Sequence, residues 1–159
     1  MKSACFTGHR NLPWNLSQIE SMLYNTLEKA VTEKGIIKFY AGGAVGWDTL
    51  AELTVLKLKK IYPYVQLNLI LPCSGEEQTS KWSAEQKKIF YSILERADSV
   101  EYTSPYYFKG CMKKRNKRLV EYADICYCFY NPDLFRSGTA QTVHMAQNKK
   151  IPLINFFIK

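Results

Sequence analysis

Two carboxylates four residues apart, Asp48 and Glu52, follow the run Ala41-Gly42-Gly43-Ala44-Val45-Gly46-Trp47. On a helix that spacing puts both on one face. Asp48 lies near the helix start, where it would cap the backbone or hydrogen-bond a ribose hydroxyl. Gly42 and Gly43 close an apolar run, and a helical pattern begins after Gly46. Glycine allows backbone angles closed to other residues and lets a ligand approach without a Cβ in the way. Strand, glycine turn and helix N-terminus in that order can cradle a phosphate, and Gly46 and Trp47 are counted with the cradle. The competing reading is a plain tight turn. No Gly-Lys-Ser/Thr ends the stretch, so it is not a Walker A loop.

Three other stretches carry comparable chemistry. Gly8-His9-Arg10 follows the first strand, where Arg10 would clamp a phosphate through its planar fork and His9 would bond a ribose or base. The turn lacks the GxGxxG dinucleotide fingerprint. In the basic segment Lys113-Lys114-Arg115-Asn116-Lys117-Arg118, about 100° per residue puts Arg115 and Asn116 beside the buried Met112 and Leu119. A buried arginine needs an anionic partner, either a ligand phosphate or an internal carboxylate. Ser137-Gly138-Thr139 opens the last helix with small and hydroxyl residues, suited to a phosphate or to capping by Ser137.

The elements that position these groups are read from periodicity. Strands are expected at Ser3–Thr7, Ile36–Ala41, Val65–Leu71, Ser99–Tyr102, Ile125–Tyr130 and Ile151–Phe157. Capping boxes at Ser17–Glu20 and Ser83–Gln86 predict two helix starts. In the first helix Ile19, Met22, Leu23, Leu27, Ala30 and Val31 form the expected buried face, and Lys34-Gly35 ends it. Further helices follow Gly46, run from Gly110 to Tyr122 and from Ser137 to Asn148. The alternation predicts an α/β fold: three layers, doubly wound, with a mainly parallel sheet and a single domain over residues 1–159. The segments after strands one, two and five then gather at the carboxyl edge of the sheet, where such folds bind ligands.

The chain has 159 residues, 47% of them hydrophobic and 23% charged, which excludes a disordered chain. A formal charge of +8 points to an anionic partner. Apolar runs are strand-length and no signal-peptide pattern follows Met1, so a cytoplasmic protein without a membrane span is expected. Five cysteines, an odd count, read as free thiols; Cys126 and Cys128 read as core residues of a strand, with no metal site expected.

Together, Thr7-Gly8-His9-Arg10, Tyr40 to Asp48, Gly110-Cys111-Met112 with Arg115-Asn116, and Ser137-Gly138-Thr139 resemble the signatures of the YpsA family, part of the SLOG group of Rossmann-like proteins. That group includes the cytokinin-activating LOG proteins and the DNA-processing protein DprA. The resemblance spans essentially the whole chain. It implies a SLOG-type domain that binds a nucleotide or nucleotide-derived metabolite, ADP-ribose-like ligands included, in a regulatory or sensing role. It establishes no cofactor and leaves self-association open. Met112 and Arg115 fit the LOG pattern Met-His-x-Arg-Lys, whereas Lys113 and Asn116 replace its His and Lys. Thr142 stands where the catalytic glutamate of LOG enzymes would be. The alternative is a phosphoribohydrolase-like enzyme using Glu52 or Asp48 with Arg115. A second alternative is a DprA-like single-strand DNA binder, suggested by the charge and by Tyr106-Tyr107-Phe108.

Overall fold

The computed structural model describes residues 2–158; Met1 and Lys159, the ends of the expected domain, lie outside the described residues. Six strands form one sheet: β1 Lys2–Gly8, β2 Ile36–Ala41, β3 Gln66–Leu71, β4 Ser99–Tyr102, β5 Ile125–Phe129 and β6 Leu153–Asn155. Their order is β4-β3-β2-β1-β5-β6, and every pairing is parallel. Between them lie α1 Leu16–Lys34, α2 Trp47–Ile61, α3 Gly75–Thr79, α4 Ala84–Arg96, α5 Cys111–Tyr122 and α6 Gly138–Lys149.

Strand alternation divides the core between two faces. Ala4 and Phe6 of β1 join Ile125, Tyr127 and Phe129 of β5 in packing against α1, α2 and α4. Cys5, Cys126 and Cys128 point the other way, into the layer formed by Leu119 and Val120 of α5 and Val143 and Ala146 of α6. All five cysteines are free and buried. The chain winds from β1 towards β4, then crosses back through α5 to place β5 on the other side of β1. The order therefore reverses between β1 and β5, which opens a crevice at their carboxyl ends.

Four details differ from the sequence reading. The Ser17–Glu20 capping box does not form: α1 starts at Leu16, which puts Ser17 inside the first turn, and the N-cap Asn15 makes no side-chain cap bond. Met22 is 43% exposed, because on its side of α1 it borders a cavity that it helps to line instead of packed core. A single-turn helix, α3, was not expected; five residues are too few to show a hydrophobic period, and Ser74 caps it through Glu77 N. The last strand is cut to Leu153–Asn155 because Lys150 ends α6 in the left-handed conformation and Pro152 contributes only a carbonyl, to Cys126 N. The second capping box, Ser83 with Gln86, is present with both bonds.

Candidate functional site

The crevice between β1 and β5 holds a cavity of about 300 Å³. Thr7, Gly8, His9 and Arg10 line it from β1, Ala44 and Asp48 from the turn after β2, Met112, Arg115, Asn116 and Leu119 from α5, and Ser137, Gly138 and Thr139 from the start of α6. Eight of the thirteen ligand-binding candidates read from the sequence therefore meet at one place together with Asp48, itself one of the thirteen. Gly42, Gly43, Gly46 and Trp47 do not line it.

Those four residues hold the loops together. Trp47 is fully buried, its indole N–H donating to the Tyr127 carbonyl (3.3 Å) and its ring packing on Phe129 and Phe156. Gly8 passes so close to it that a Cβ there would lie 2.3 Å from Trp47 Cγ. Gly46 (φ 82°) lets α2 start against the Arg10 backbone, and Trp47 N donates to the His9 carbonyl (3.2 Å). The turns after β1 and β2 are thereby locked to each other.

The glycine turn after β2 is closed by its own protein. Gly43 N–H donates to Glu52 Oε2 (3.0 Å) and Ala44 N–H to Asp48 Oδ2 (3.2 Å). The Gly43 and Ala44 carbonyls accept from Gln78 Nε2 (3.0 Å) and Thr49 Oγ1 (2.9 Å). The Gly42 carbonyl accepts from Arg115 Nη1. The backbone donors expected to face a phosphate face two carboxylates instead, one turn apart on α2.

Helical angles correctly orient α5: Arg115 and Asn116 are buried, while Lys113, Lys114 and Lys117 are exposed. Arg115 Nε donates to Asn116 Oδ1 (2.8 Å), and Asn116 Nδ2 to Gln141 Oε1 of α6 (3.3 Å). Burial drives the Arg115 pKa down, and the negative charges of Asp48 and Glu52 oppose that. Burial raises Asp48 to about 6, against the lowering influence of Arg115 and the backbone donors of Ala44 and Gly42. Glu52 is pushed well above its usual range, first by burial and then by the Asp48 charge beside it. The three groups act on one another: the Arg115 charge lowers the pKa of both acids, and each acid opposes the fall in Arg115. Arg115 thus has internal partners while still lining the cavity.

The cavity's other polar groups come from loops and a helix start. His9 Nε2 accepts the Asn131 N–H (2.9 Å), which leaves the ring proton on Nδ1, and burial lowers the ring's pKa. Ser137 caps α6, accepting from Ala140 N (3.1 Å). The first N–H groups of α6, those of Gly138 and Thr139, have no partner within the helix. Nothing lies within 3.9 Å of a Cβ built on Gly138, and the atom at that distance is Asn116 Nδ2 in the cavity wall. Thr142 is fully buried and donates to the Gly138 carbonyl (3.0 Å), outside the cavity lining. Glu52 is outside the lining too, so Asp48 is the carboxylate there among the described residues. Gln78, Asn131 and Gln141 escaped the sequence reading. Gln141 had a signal, being one turn beyond Gly138; Gln78 and Asn131 sit in a one-turn helix and a loop without periodicity.

A parallel sheet with strand order reversing at a polar, arginine-bearing crevice defines a Rossmann-like protein. The chain belongs to the YpsA family, described as the YspA SLOG family, whose model matches residues 6–157. It is 32% identical over 128 residues to the UPF0398 protein of Halalkalibacterium halodurans, covering 79% of this chain and 64% of that one. The match therefore spans a little under two thirds of that relative's length. It is 28% identical over 142 residues to the SPbeta prophage-derived protein YoqJ of Bacillus subtilis (strain 168), covering 82% of this chain and 81% of that one. The X-ray structure of TM1055, a Northeast Structural Genomics Consortium target, shares the fold with a TM-score of 0.60 at 16% identity, covering 96% of this chain and 72% of that one. Among the described residues, no helix is long and apolar enough to cross a membrane.

Proposed function

We propose that the protein binds a nucleotide or nucleotide-derived metabolite, holding its phosphate in the β1–β5 cavity, and serves as a cytoplasmic sensor or regulator. One observation carries the reading: the first residues of α6, Ser137 to Thr139, line the same cavity as Arg10 and Arg115. Helix N-termini and arginine forks are two independent ways of binding phosphate. Their convergence at the point where the strand order reverses is where this topology places ligands. The test is a melting-temperature screen across nucleoside monophosphates, ADP-ribose and dinucleotides. A ligand at about 100 times its Kd adds about 2.7 kcal/mol of stability. No shift with any of them would overturn the reading.

A second reading, a nucleoside monophosphate hydrolase, is favoured by one feature. Asp48 lines the cavity with a pKa raised by burial to about 6, a value suited to proton transfer near neutral pH. Against it, Asp48 is tied to Ala44 N, the nearby Arg115 charge lowers its pKa, and Thr142 supplies no carboxylate. Binding without turnover fits these residues better.

A further inference from the structure

On the far side of the His9–Arg10 turn lies a larger cavity of about 520 Å³, and those two residues line both cavities. Its walls differ in kind. Phe129, Phe156 and Phe157 close the sheet side, Ile19 and Met22 of α1 the helix side, and Asn15, Gln18 and Asn131 carry side-chain amides at its margin. Asn15 occupies the N-cap of α1, the position where asparagine is among the best caps, yet its side chain makes no cap bond. It is one of the residues that line this cavity. Apolar and aromatic walls with a few amides suit a flat heteroaromatic ring: the faces are covered by carbon and the edge meets paired donors and acceptors. The polar cavity alone sits at the lower end of the roughly 300–1,000 Å³ range of ligand sites, and the two together fall well inside it.

We propose that the two cavities form one bipartite site, with the phosphate of a nucleotide in the β1–β5 cavity and its base in the apolar cavity, spanning the His9–Arg10 turn. The inference rests on the nucleotide reading above and adds where the base goes and which residues select it. Arg10, exposed and lining both halves, meets the ligand at its waist, and His9, half-buried, offers its Nδ1–H there. The ligand must carry both an anion and a base; ribose 5-phosphate would fill only one half and adenosine only the other.

The test is calorimetric titration of the full chain with ribose 5-phosphate, adenosine, and the tightest binder among AMP, GMP, CMP and UMP. Met22→Trp and Gln18→Trp are used to fill the apolar half, both being exposed positions where the fold tolerates change. The nucleotide is expected to bind about tenfold or more tightly than ribose 5-phosphate. Each variant is expected to weaken the nucleotide about tenfold while leaving ribose 5-phosphate within about twofold. In the wild type, base protons should show nuclear Overhauser contacts to the Met22 methyl, a readout that needs no variant to fold. Equal affinities for nucleotide and ribose 5-phosphate, unchanged in both variants and without those contacts, would remove the base site and leave the phosphate site standing. No binding by any phosphate-bearing probe would remove the nucleotide reading itself.

Discussion

Gly42 is the seat of Arg115: the guanidinium donates to the Gly42 carbonyl, and a Cβ on Gly42 would lie 2.3 Å from Arg115 Nη1. The glycine is needed so that a buried cation can lie flat against the backbone. Gly43, with φ 72°, serves the same closed turn, since a side chain there would meet Leu71 Cδ2 at 2.5 Å. A valine at Gly43 would therefore perturb folding before it could report on a ligand.

Gly42→Ala is expected to push the guanidinium off its carbonyl. A hydrogen bond to a charged group is worth about 1.5–3 kcal/mol, and the loss should appear as a lower urea midpoint at unchanged slope. An unaltered midpoint would mean that Arg115 moves aside freely.

Arg115→Ala is expected to destabilise far more than Lys114→Ala, its neighbour in sequence. Removing Arg115 takes away the larger of the two positive charges acting on buried Asp48 and breaks bonds to Gly42 and Asn116, at about 3 kcal/mol or more. Lys114 is exposed, so its loss should stay within about 0.5 kcal/mol. Thermal unfolding of the two variants decides it, and equal losses would contradict the cluster.

The acid pair predicts a pH dependence with a definite sign. Burial raises Glu52 above its usual 4.5 and Asp48 from 3.8 to about 6, so the folded state keeps protons that the unfolded chain has released. Their contribution is present below the unfolded values and is lost as pH rises through the folded ones. Glutamine copies protonated Glu52, and its Oε1 can accept the Gly43 N–H. Glu52→Gln should match the wild type near about pH 4 and exceed it in stability near about pH 8. A variant weaker than the wild type near about pH 8 would show that Glu52 is ionised in the fold.

No appreciable base release from AMP, GMP, CMP or UMP is expected. A missing general acid or base typically costs about two to four orders of magnitude in rate, and Thr142 sits buried and bonded to Gly138. Chromatography of overnight incubations checks this. Base released by the wild type and abolished in Asp48→Asn would overturn the binding reading, because Asp48 is the carboxylate in the cavity wall among the described residues.

How far the sequence carried the reading follows from the range of each signal. β2 and β4 match to the residue and α5 is rotated as its angles require, because periodicity is local and survives folding. The Ser17 box failed since a cap motif says nothing about a helix that begins two residues earlier than the motif places it. The glycine turn was read with the right residues and the wrong occupant. Whether its N–H groups meet a phosphate or Asp48 and Glu52 depends on helix α2 curling its carboxylates back over nine and four residues, respectively, for Glu52 and Asp48. The apolar cavity was illegible because Ile19, Phe129 and Phe156 come from three distant segments and each reads as ordinary core.

Gly138 offers the most direct test of phosphate binding in the β1–β5 cavity. It needs no special backbone angle, and a Cβ there would meet nothing closer than Asn116 Nδ2 at 3.9 Å. Gly138→Val should fold with the melting temperature of the wild type while placing methyl groups over the start of α6. The measurement is calorimetric titration of wild type and Gly138→Val with the nucleotide that most raises the wild-type melting temperature. The account predicts binding by the wild type and a loss of about tenfold or more in the folded variant, equivalent to about 1.4 kcal/mol. Unchanged affinity in a folded Gly138→Val protein would contradict it.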